Sequence, residues 1–321
     1  MSQFNAAQLL SVEGLVVVLT GGGTGMLSRA PYCHNVHVTD YFHLPGLGRS
    51  AALALAENGA AKVFILGRRV EVLQETVSLS KKDTIIPVQA DITSKDSLQA
   101  AYETVAAQAE HVDLLIANSG YGGLPMSPLG PKPDGSIPSL LEFRDHLWSS
   151  PEDDFGKLTE INVKGTFFTV VAFLPLLNAA NERRPAPVKD RPAAPTAQVI
   201  IVGSVAAHFR NVPYSIAYNI SKGAVHHLIK TLSNIFTPYK IRVNGTAPGL
   251  FPSEMTTIAF GITESSASDG ALPKSVFPPG RAGRHEEFAG LVLWMASPSG
   301  AYANGNITII DGGWLSTSSS C

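Results

Sequence analysis

A phenol and an ammonium group lie four residues apart in the segment Tyr218-Asn219-Ile220-Ser221-Lys222. In an α-helix this spacing places both side chains on one face, one turn apart. Of the eight tyrosines, Tyr218 alone has a lysine four residues further on. A neighbouring positive charge favours the phenolate, so we expect the pKa of Tyr218 to lie below its usual value of about 10. Such a tyrosine can exchange a proton with a substrate oxygen while a hydride moves to or from a nicotinamide.

A serine is a candidate partner of this pair. Ser204 follows the apolar segment 198–202 and precedes Tyr218 by fourteen residues. Its hydroxyl can donate a hydrogen bond to a substrate carbonyl oxygen. Taken singly, the three residues also have structural interpretations: a surface lysine, a half-buried tyrosine and a serine at a strand end. Together they favour a catalytic site.

A glycine cluster, Thr20-Gly21-Gly22-Gly23-Thr24-Gly25, directly follows an apolar segment. Glycines there let the backbone approach a pyrophosphate, and they leave amide N–H groups free to bind it at a helix N-terminus. A tight turn without a ligand is the alternative interpretation. The position directly after the first predicted strand favours nucleotide binding.

The end of the second predicted strand indicates which nicotinamide cofactor is bound. Many dinucleotide sites carry an acidic residue there, which holds the ribose 2′-hydroxyl. Here the strand ends in Leu66-Gly67-Arg68-Arg69, without an acid. A guanidinium presents a planar fork suited to a phosphate. We therefore expect NADP rather than NAD, the alternative being that both arginines cap a surface turn.

Strands and helices alternate along the chain in the pattern of βαβ units. This pattern predicts an α/β fold of the Rossmann type, a doubly wound parallel sheet with helices on both faces, in a single domain. Two stretches rich in Pro and Gly, 121–151 and 183–197, are interpreted as surface loops. The predicted strands are 15–20, 62–66, 84–90, 111–117, 198–202, 240–245 and 306–310. The predicted helices are 47–59, 70–80, 94–109, 153–181, 217–236 and 285–295.

Composition narrows the class of protein. The 321 residues include 16% charged residues and carry a net charge of −2, without the basic stripe expected of a nucleic-acid binder. Cys33 and Cys321 have no framework or metal-ligand spacing, which is typical of a reducing compartment. Residues 1–10 have no signal-peptide pattern, and the apolar runs fall short of the ~18 residues of a membrane helix. We expect a cytoplasmic protein without a membrane or nucleic-acid partner.

From residue 20 to residue 313 the chain resembles the short-chain dehydrogenase/reductase family. The glycine turn resembles the cofactor fingerprint of the family, and Asp91 matches its adenine-contacting acid. Asn118-Ser119-Gly120 is similar to the Asn-Ala-Gly element after the fourth strand, with serine in place of the usual alanine. Pro248-Gly249 matches the turn that flanks the nicotinamide, and Asp311-Gly312-Gly313 the C-terminal signature.

The resemblance also implies a catalytic tetrad. Asn162 matches the catalytic asparagine of the family, which supports a water-linked proton relay to the lysine. By the family's pattern Lys222 also donates to the nicotinamide ribose. The predicted catalytic residues are Asn162, Ser204, Tyr218 and Lys222. The predicted cofactor-binding residues are Thr20, Gly21, Gly23, Thr24, Gly25, Gly48, Arg68, Arg69, Asp91, Asn118, Gly120, Tyr218, Lys222, Pro248 and Gly249.

The sequence signals for substrate binding are less specific than those for the cofactor and the catalytic residues. Segments 251–256 and 280–284 resemble fungal ketoreductase-like members of the family, many of which act in secondary metabolism. The family's pattern implies a mobile substrate lid over 250–279, and we expect His208, Phe209 and Tyr214 to face the pocket. For His208, a plain loop histidine is the alternative interpretation. Few charges occur in this tract, so no anchor for an anionic substrate is found. The sequence does not identify the substrate.

The glycine fingerprint is interrupted. Removing the 21 residues of 26–46 would join Gly25 to Leu47-Gly48-Arg49-Ser50 and restore a continuous fingerprint. One interpretation is an intron retained in frame. Another is a functional insert, with Cys33 and the histidines at 34, 37 and 43 as metal ligands, although their spacing fits no standard zinc pattern. The third is a tolerated loop, because closure entropy grows slowly with loop length. We expect the interrupted form to bind NADP more weakly.

Two functions follow from these residues. The leading hypothesis is an NADP(H)-dependent oxidoreductase that interconverts a ketone and a secondary alcohol, as a secondary-metabolism reductase or a 3-oxoacyl reductase-like enzyme. The alternative is a catalytically impaired nucleotide-binding or scaffold protein, because the phosphate loop is interrupted. The expected partner is a small carbonyl or alcohol substrate. Apolar faces on 158–177 and 217–232 are compatible with a homodimer or homotetramer.

Overall fold

Seven parallel strands form one sheet in the computed structural model, which describes residues 5–23, 46–186 and 194–318. Their order across the sheet is β3-β2-β1-β4-β5-β6-β7, and every neighbouring pair is parallel. The strands are Val16–Thr20 (β1), Lys62–Gly67 (β2), Ile85–Gln89 (β3), Leu114–Ala117 (β4), Gln198–Val202 (β5), Arg242–Pro248 (β6) and Ile307–Ile310 (β7).

Continuous apolar segments form the centre of the sheet. Every residue of β1 is buried, and Val17 lies in register between Val63 of β2 and Leu114 of β4. A strand covered on both faces needs apolar side chains in both directions, which is why its sequence does not alternate.

The helices that cover the sheet belong to two sets. The described helices are Ala6–Leu9 (α1), Leu47–Glu57 (α2), Val70–Leu79 (α3), Lys95–Ala106 (α4), Leu140–Trp148 (α5), Glu152–Thr159 (α6), Thr166–Glu182 (α7), Ile216–Ile235 (α8), Glu254–Phe260 (α9) and His285–Ala296 (α10). On one face Phe173 of α7 and Ile229 of α8 join the core, and on the other Leu55 of α2 and Phe288 of α10 do so. The predicted doubly wound sheet with helices on both faces is confirmed.

Strand order reverses between β1 and β4. Successive strands β1, β2 and β3 extend to one side, whereas β4 to β7 extend to the other. In parallel α/β sheets the crevice at the carboxyl ends of the strands at such a reversal is where ligands bind. The topology therefore brings the glycine turn after β1 next to the segment after β4.

Some predicted loops contain helices. Within 121–151 the structure has α5, whose N-terminus is closed by reciprocal hydrogen bonds between Ser139 and Glu142. The prediction of a plain loop there is wrong, because a capping box was not recognised. The expected loop-rich lid contains α9, which begins after Ser253. The described flanks of 183–197 are loops, as expected.

One long helical run corrects the expectation about membrane spans. In the described part of the chain, the continuous run Glu152–Glu182 is long and apolar enough to cross a membrane by length and composition, with a mean hydropathy of 1.5 in its best window. Val170, Phe173 and Leu177 of this run are fully buried in the core against the sheet. Its apolarity therefore has a structural reason in the packing of a core helix.

Candidate active site

Helix α8 carries the tyrosine and the lysine. Its N-terminus is capped by Ser215, whose hydroxyl oxygen accepts a hydrogen bond of 3.4 Å from the backbone N–H of Tyr218. Lys222, one turn later, is 5% exposed, and its Nζ donates to the carbonyl oxygen of Val202 at 3.0 Å. Nζ lies 5.9 Å from the centre of the Tyr218 ring. The predicted pair thus shares one helix face, held against the end of β5.

Ser204, which follows a strand of the sheet, lies next to Tyr218. It lies two residues after β5 and begins a short 3-10 helix, Val205–Ala207, where its Oγ accepts from the N–H of Ala206 at 3.1 Å. Its side chain is also hydrogen-bonded to that of Tyr218. The structure therefore brings Ser204, Tyr218 and Lys222 together.

Burial dominates the electrostatics of this group. It raises the pKa of Tyr218, and the hydrogen bond with Ser204 lowers it only in part. The expectation that Lys222 would bring the pKa of Tyr218 below its usual value is wrong, because loss of hydration of the phenolate outweighs the other contributions. The same loss of hydration lowers the pKa of Lys222 to about 8.

Asn162 lies in a π-helical turn, Glu160–Gly165, between α6 and α7. Such turns are rare and frequently occur at functional sites. Its Oδ1 accepts from the N–H of Tyr121 at 2.7 Å, and its Nδ2 donates to the carbonyl oxygen of Tyr121 at 2.9 Å and to Oγ of Ser221 at 3.0 Å. Oγ of Ser221 in turn donates to the carbonyl oxygen of Tyr218 at 2.8 Å. The carboxamide therefore joins the segment after β4 to α8.

Tyr121 and Asp154 belong to this network and were missed by the sequence prediction. The hydroxyl of Tyr121 donates to Oδ1 of Asp154 at 2.7 Å, and Oδ2 accepts from the N–H of Leu124 at 2.9 Å. Burial and the carboxylate both raise the pKa of Tyr121. Its position directly after Asn118-Ser119-Gly120 was the available signal, but the segment had been interpreted as loop.

A cleft of about 1350 Å³, including its open mouth, lies over the carboxyl ends of the central strands. Asn162 does not line it, and neither does Thr20, whose hydroxyl oxygen accepts from the N–H groups of Asn118 and Ser119 at 3.0 and 3.1 Å. Thr24 and Gly25 lie outside the residues that the structure describes. The predicted residues that line it are Gly21, Gly23, Gly48, Arg68, Arg69, Asp91, Asn118, Gly120, Ser204, Tyr218, Lys222, Pro248 and Gly249.

The two described sides of the interruption meet in this cleft. Gly21 has a φ of +72°, and a Cβ on Gly48 would clash with its carbonyl oxygen. The hydroxyl of Thr76 donates to the carbonyl oxygen of Gly22 at 2.8 Å and accepts from Nε of Arg49 at 3.1 Å. The first turn of α2 is therefore held against the glycine turn, across the segment that separates them in sequence.

The arginines line the far end of the cleft, and an unpredicted, buried carboxylate lies next to one of them. Nη2 of Arg69 lies 4.0 Å from Oε2 of Glu254, whose side chain is 2% exposed. Burial raises the pKa of Glu254, and the charge of Arg69 counters this in part. Asp91, on the same side, accepts from the N–H and the hydroxyl of Thr93 at 2.9 and 2.7 Å.

A second pocket adjoins the cleft and shares Ser204 and Tyr218 with it. This smaller pocket, the aromatic pocket, has about 500 Å³ of space including its mouth, and besides Tyr218 it is lined by four aromatic side chains: Phe209, Tyr214, Phe260 and Trp314. Phe209 and Tyr214, two of the three residues expected to face the substrate pocket, line this one. The expectation for His208 is wrong, because its ring packs on that of His226 instead, with 4.9 Å between the ring centres.

Comparison with known proteins identifies the family. The sequence model described as short chain dehydrogenase matches residues 44–260, more than half of the chain. The chain belongs to this family. The match starts at residue 44, so the glycine turn and most of the interruption precede it.

Known proteins are similar to this chain over most of its length. The short-chain dehydrogenase/reductase PhomF of Diaporthe leptostromiformis is 38% identical, with 98% of this chain and 96% of the relative covered. The rhamnolipids biosynthesis 3-oxoacyl-[acyl-carrier-protein] reductase of Pseudomonas aeruginosa is 32% identical, over 84% and 92% of the two chains. Among solved structures, the Pseudomonas aeruginosa RhlG/NADP active-site complex superposes with a TM-score of 0.70 at 28% identity, covering 95% of this chain and 98% of that one. The resemblance to this oxidoreductase family, including fungal members, is thereby confirmed.

Proposed function

We propose that this family member is an NADP(H)-dependent reductase that interconverts a ketone and a secondary alcohol. The observation that carries the proposal is the position of Ser204 and Tyr218 in the wall shared by the cleft and the aromatic pocket. A carbonyl group in the aromatic pocket would meet both hydroxyls on the side where the cleft opens.

The residues of the cleft fit a dinucleotide. A Cβ on Gly48 would fill the space against Gly21, so the backbone forms a cradle that side chains would close. The helix N-terminus at Leu47 adds favourable N–H groups for a pyrophosphate. Lys222 and Gly249 would hold the nicotinamide end, and Arg68 and Arg69 the adenosine end. When bound, the nicotinamide supplies or accepts the hydride.

The roles of the chain's own residues follow from their chemistry. The hydroxyl of Ser204 donates to the substrate carbonyl oxygen and orients it. Tyr218 gives its phenolic proton to that oxygen as negative charge develops there. The ammonium of Lys222 stabilises the phenolate that remains. Asn162 keeps α8 in place through Ser221 and the backbone of Tyr121.

The choice of NADP rests on the end of β2. Arg68 and Arg69 stand where an acid would otherwise bind the ribose 2′-hydroxyl, and a guanidinium binds a phosphate with charge-assisted hydrogen bonds. Glu254 lies 4.0 Å from Arg69 and offsets part of its charge, and burial raises the pKa of this carboxyl. The RhlG structure named above is a complex with NADP, which also supports the proposal.

We propose that the enzyme works in the direction of reduction and that its substrate is a 3-oxoacyl-like or secondary-metabolite ketone. The name of the Pseudomonas aeruginosa relative, a 3-oxoacyl-[acyl-carrier-protein] reductase, supports a 3-oxoacyl-like ketone. The aromatic pocket has no charged side chain among its described lining residues, which favours an uncharged group next to the carbonyl.

The test is oxidation of NADPH with a panel of ketones, followed at the nicotinamide absorbance. Tyr218→Phe is expected to lose at least a thousandfold in kcat, because the proton donor is gone. Tyr214→Phe is the matched control in the same pocket, with a ring centre 6.3 Å from that of Tyr218, and it should retain most of the activity. NADPH binding without turnover of any ketone would instead support the impaired nucleotide-binding protein that the interrupted phosphate loop favours.

We also propose a homo-oligomer. Phe155 of α6, Val171 of α7 and Ile220 of α8 are large apolar side chains exposed at 37–54%. Exposed apolar side chains on neighbouring long helices are suited to a second copy of the chain. Light scattering after gel filtration would give the mass of the assembly, and a monomer at micromolar concentration would contradict the proposal.

A further inference from the structure

Asn219, the residue after Tyr218, lines the aromatic pocket with a carboxamide that has no partner in the described part of the chain. Both its Nδ2 and its Oδ1 are buried, and neither makes a hydrogen bond with any residue that the structure describes. A buried polar group left unpaired costs on the order of 1–3 kcal/mol. Most such groups in folded proteins have a partner, so an exception in a pocket wall points to a ligand.

The side-chain hydroxyl groups of this pocket are already engaged in hydrogen bonds. The hydroxyl of Tyr214 donates to the carbonyl oxygen of Gly123 at 2.6 Å, and that of Thr256 to the carbonyl oxygen of Phe251 at 2.6 Å. Ser204 and Tyr218 form the catalytic end. Among the described lining residues, Asn219 therefore supplies a carboxamide that is free to recognise a group other than the reacting carbonyl.

The rest of the wall restricts what that group is attached to. Phe209 and Phe260 pack against Trp314 with ring centres 4.7 and 6.5 Å apart, and Tyr214 lies 5.5 Å from Phe260. Such rings favour the faces and edges of another aromatic ring. An ionised carboxylate or phosphate would lose its hydration here without a counter-charge, which is strongly unfavourable.

We propose that Asn219 is a specificity residue that binds a second oxygen of the substrate, on an uncharged aromatic ketone bearing a hydroxyl or a further carbonyl. The inference rests on the proposed reductase function and deepens it. A carboxamide has one acceptor oxygen and two donor hydrogens, so it pairs with either kind of oxygen. Because Asn219 and Tyr218 line the same small pocket, the second oxygen belongs to the ring system that carries the reacting carbonyl.

The experiment compares 1-tetralone with its ring-hydroxylated derivatives as substrates with NADPH. For the wild type we expect kcat/KM to be at least tenfold higher for one or more hydroxytetralones than for the parent ketone. In Asn219→Leu, which keeps the side-chain size without the amide, this ratio should fall to about one. A site built to pair with a hydroxyl discriminates against an analogue that lacks it, which is why the ratio is the readout.

Met255→Leu is the matched control, because Met255 lines the same pocket without a hydrogen-bonding group, and it should keep the ratio. A wild-type ratio near one for every derivative, or an unchanged ratio in Asn219→Leu, would overturn the inference.

Failure of the reductase proposal would show separately, as no turnover of any tetralone by the wild type. In that case, the affinities for 1-naphthol and for naphthalene are compared, because neither compound reacts, and this comparison decides the role of Asn219. Tighter binding of 1-naphthol by the wild type and equal binding of both by Asn219→Leu would uphold it. Equal binding of both by the wild type would refute it.

Discussion

Nε2 of His226 accepts a hydrogen bond of 3.4 Å from the backbone N–H of Ser204. The ring lies against the turn that carries this serine, since a Cβ on Gly203 would clash with it. Burial, followed by the charges of His208 and Lys222, lowers the pKa of His226 to about 4. The imidazole is therefore neutral near pH 7, and its Nε2 lone pair is available to hold Ser204. His226 is a positioning residue in this arrangement, because it acts through the serine.

We expect His226→Leu to lower kcat by about tenfold, which corresponds to about 1.4 kcal/mol, the order of one hydrogen bond. The KM should change much less, because the pocket wall is intact. His226→Gln supplies another acceptor and should recover part of the loss. His227→Leu is the control, since this neighbouring histidine is exposed. Equal losses in the Leu and Gln variants would show that the ring only fills space.

The pH dependence of catalysis should reflect the deprotonation of Lys222. Its pKa of about 8 means that the ammonium is lost as the pH rises through 8, and with it the charge that stabilises the phenolate of Tyr218. We expect kcat/KM to decrease above pH 8 at saturating NADPH. Lys230→Met, a change at an exposed lysine of the same helix, should leave the inflection in place. An alkaline limb centred near pH 10 would contradict this assignment.

Cofactor preference should depend on Arg69. Arg69→Gln removes a charge-assisted contact to the 2′-phosphate, and we expect the Kd for NADPH to rise by about ten- to a hundredfold. The Kd for NADH should change less than threefold, because that cofactor has no 2′-phosphate. Arg144→Gln, at an arginine of α5 whose side chain is 56% exposed, controls for the loss of one positive charge. Similar losses for both cofactors would mean that Arg69 supports the fold of the cleft instead.

Removing residues 26–46 tests the interruption. Gly21 and Gly48, which lie on either side of the deleted segment, are already in close contact. We expect the shortened form to bind NADPH at least several-fold more tightly, since ordering the phosphate site no longer requires the closure of a long loop. Titration of both forms with NADPH gives the comparison, and equal affinities would contradict it.

A glycine variant controls for this deletion. Gly48→Ala should abolish the gain in the shortened form, because its Cβ clashes with the carbonyl oxygen of Gly21. A gain that persisted in that variant would mean that the turn does not act through this close approach.

The sequence by itself determined the features that depend on local pattern. The apolar segment of β1 marks a strand covered on both faces, and the spacing of Tyr218 and Lys222 fixes their common helix face. Glycines after β1 and two arginines after β2 indicate the cofactor end. Strand and helix alternation then leaves few topologies for a parallel sheet. These inferences hold because neighbours in sequence are also neighbours within one element.

Only the tertiary structure decided which distant groups meet and how deeply they are buried. Asn162 reaches Ser221 across 59 residues, and Thr76 joins Gly22 to Arg49 over the interruption. Burial set the direction of the pKa of Tyr218 against the expectation from its lysine neighbour. The physical reason is that hydration is lost through the packing of several elements together, which the spacing of residues within one helix does not encode.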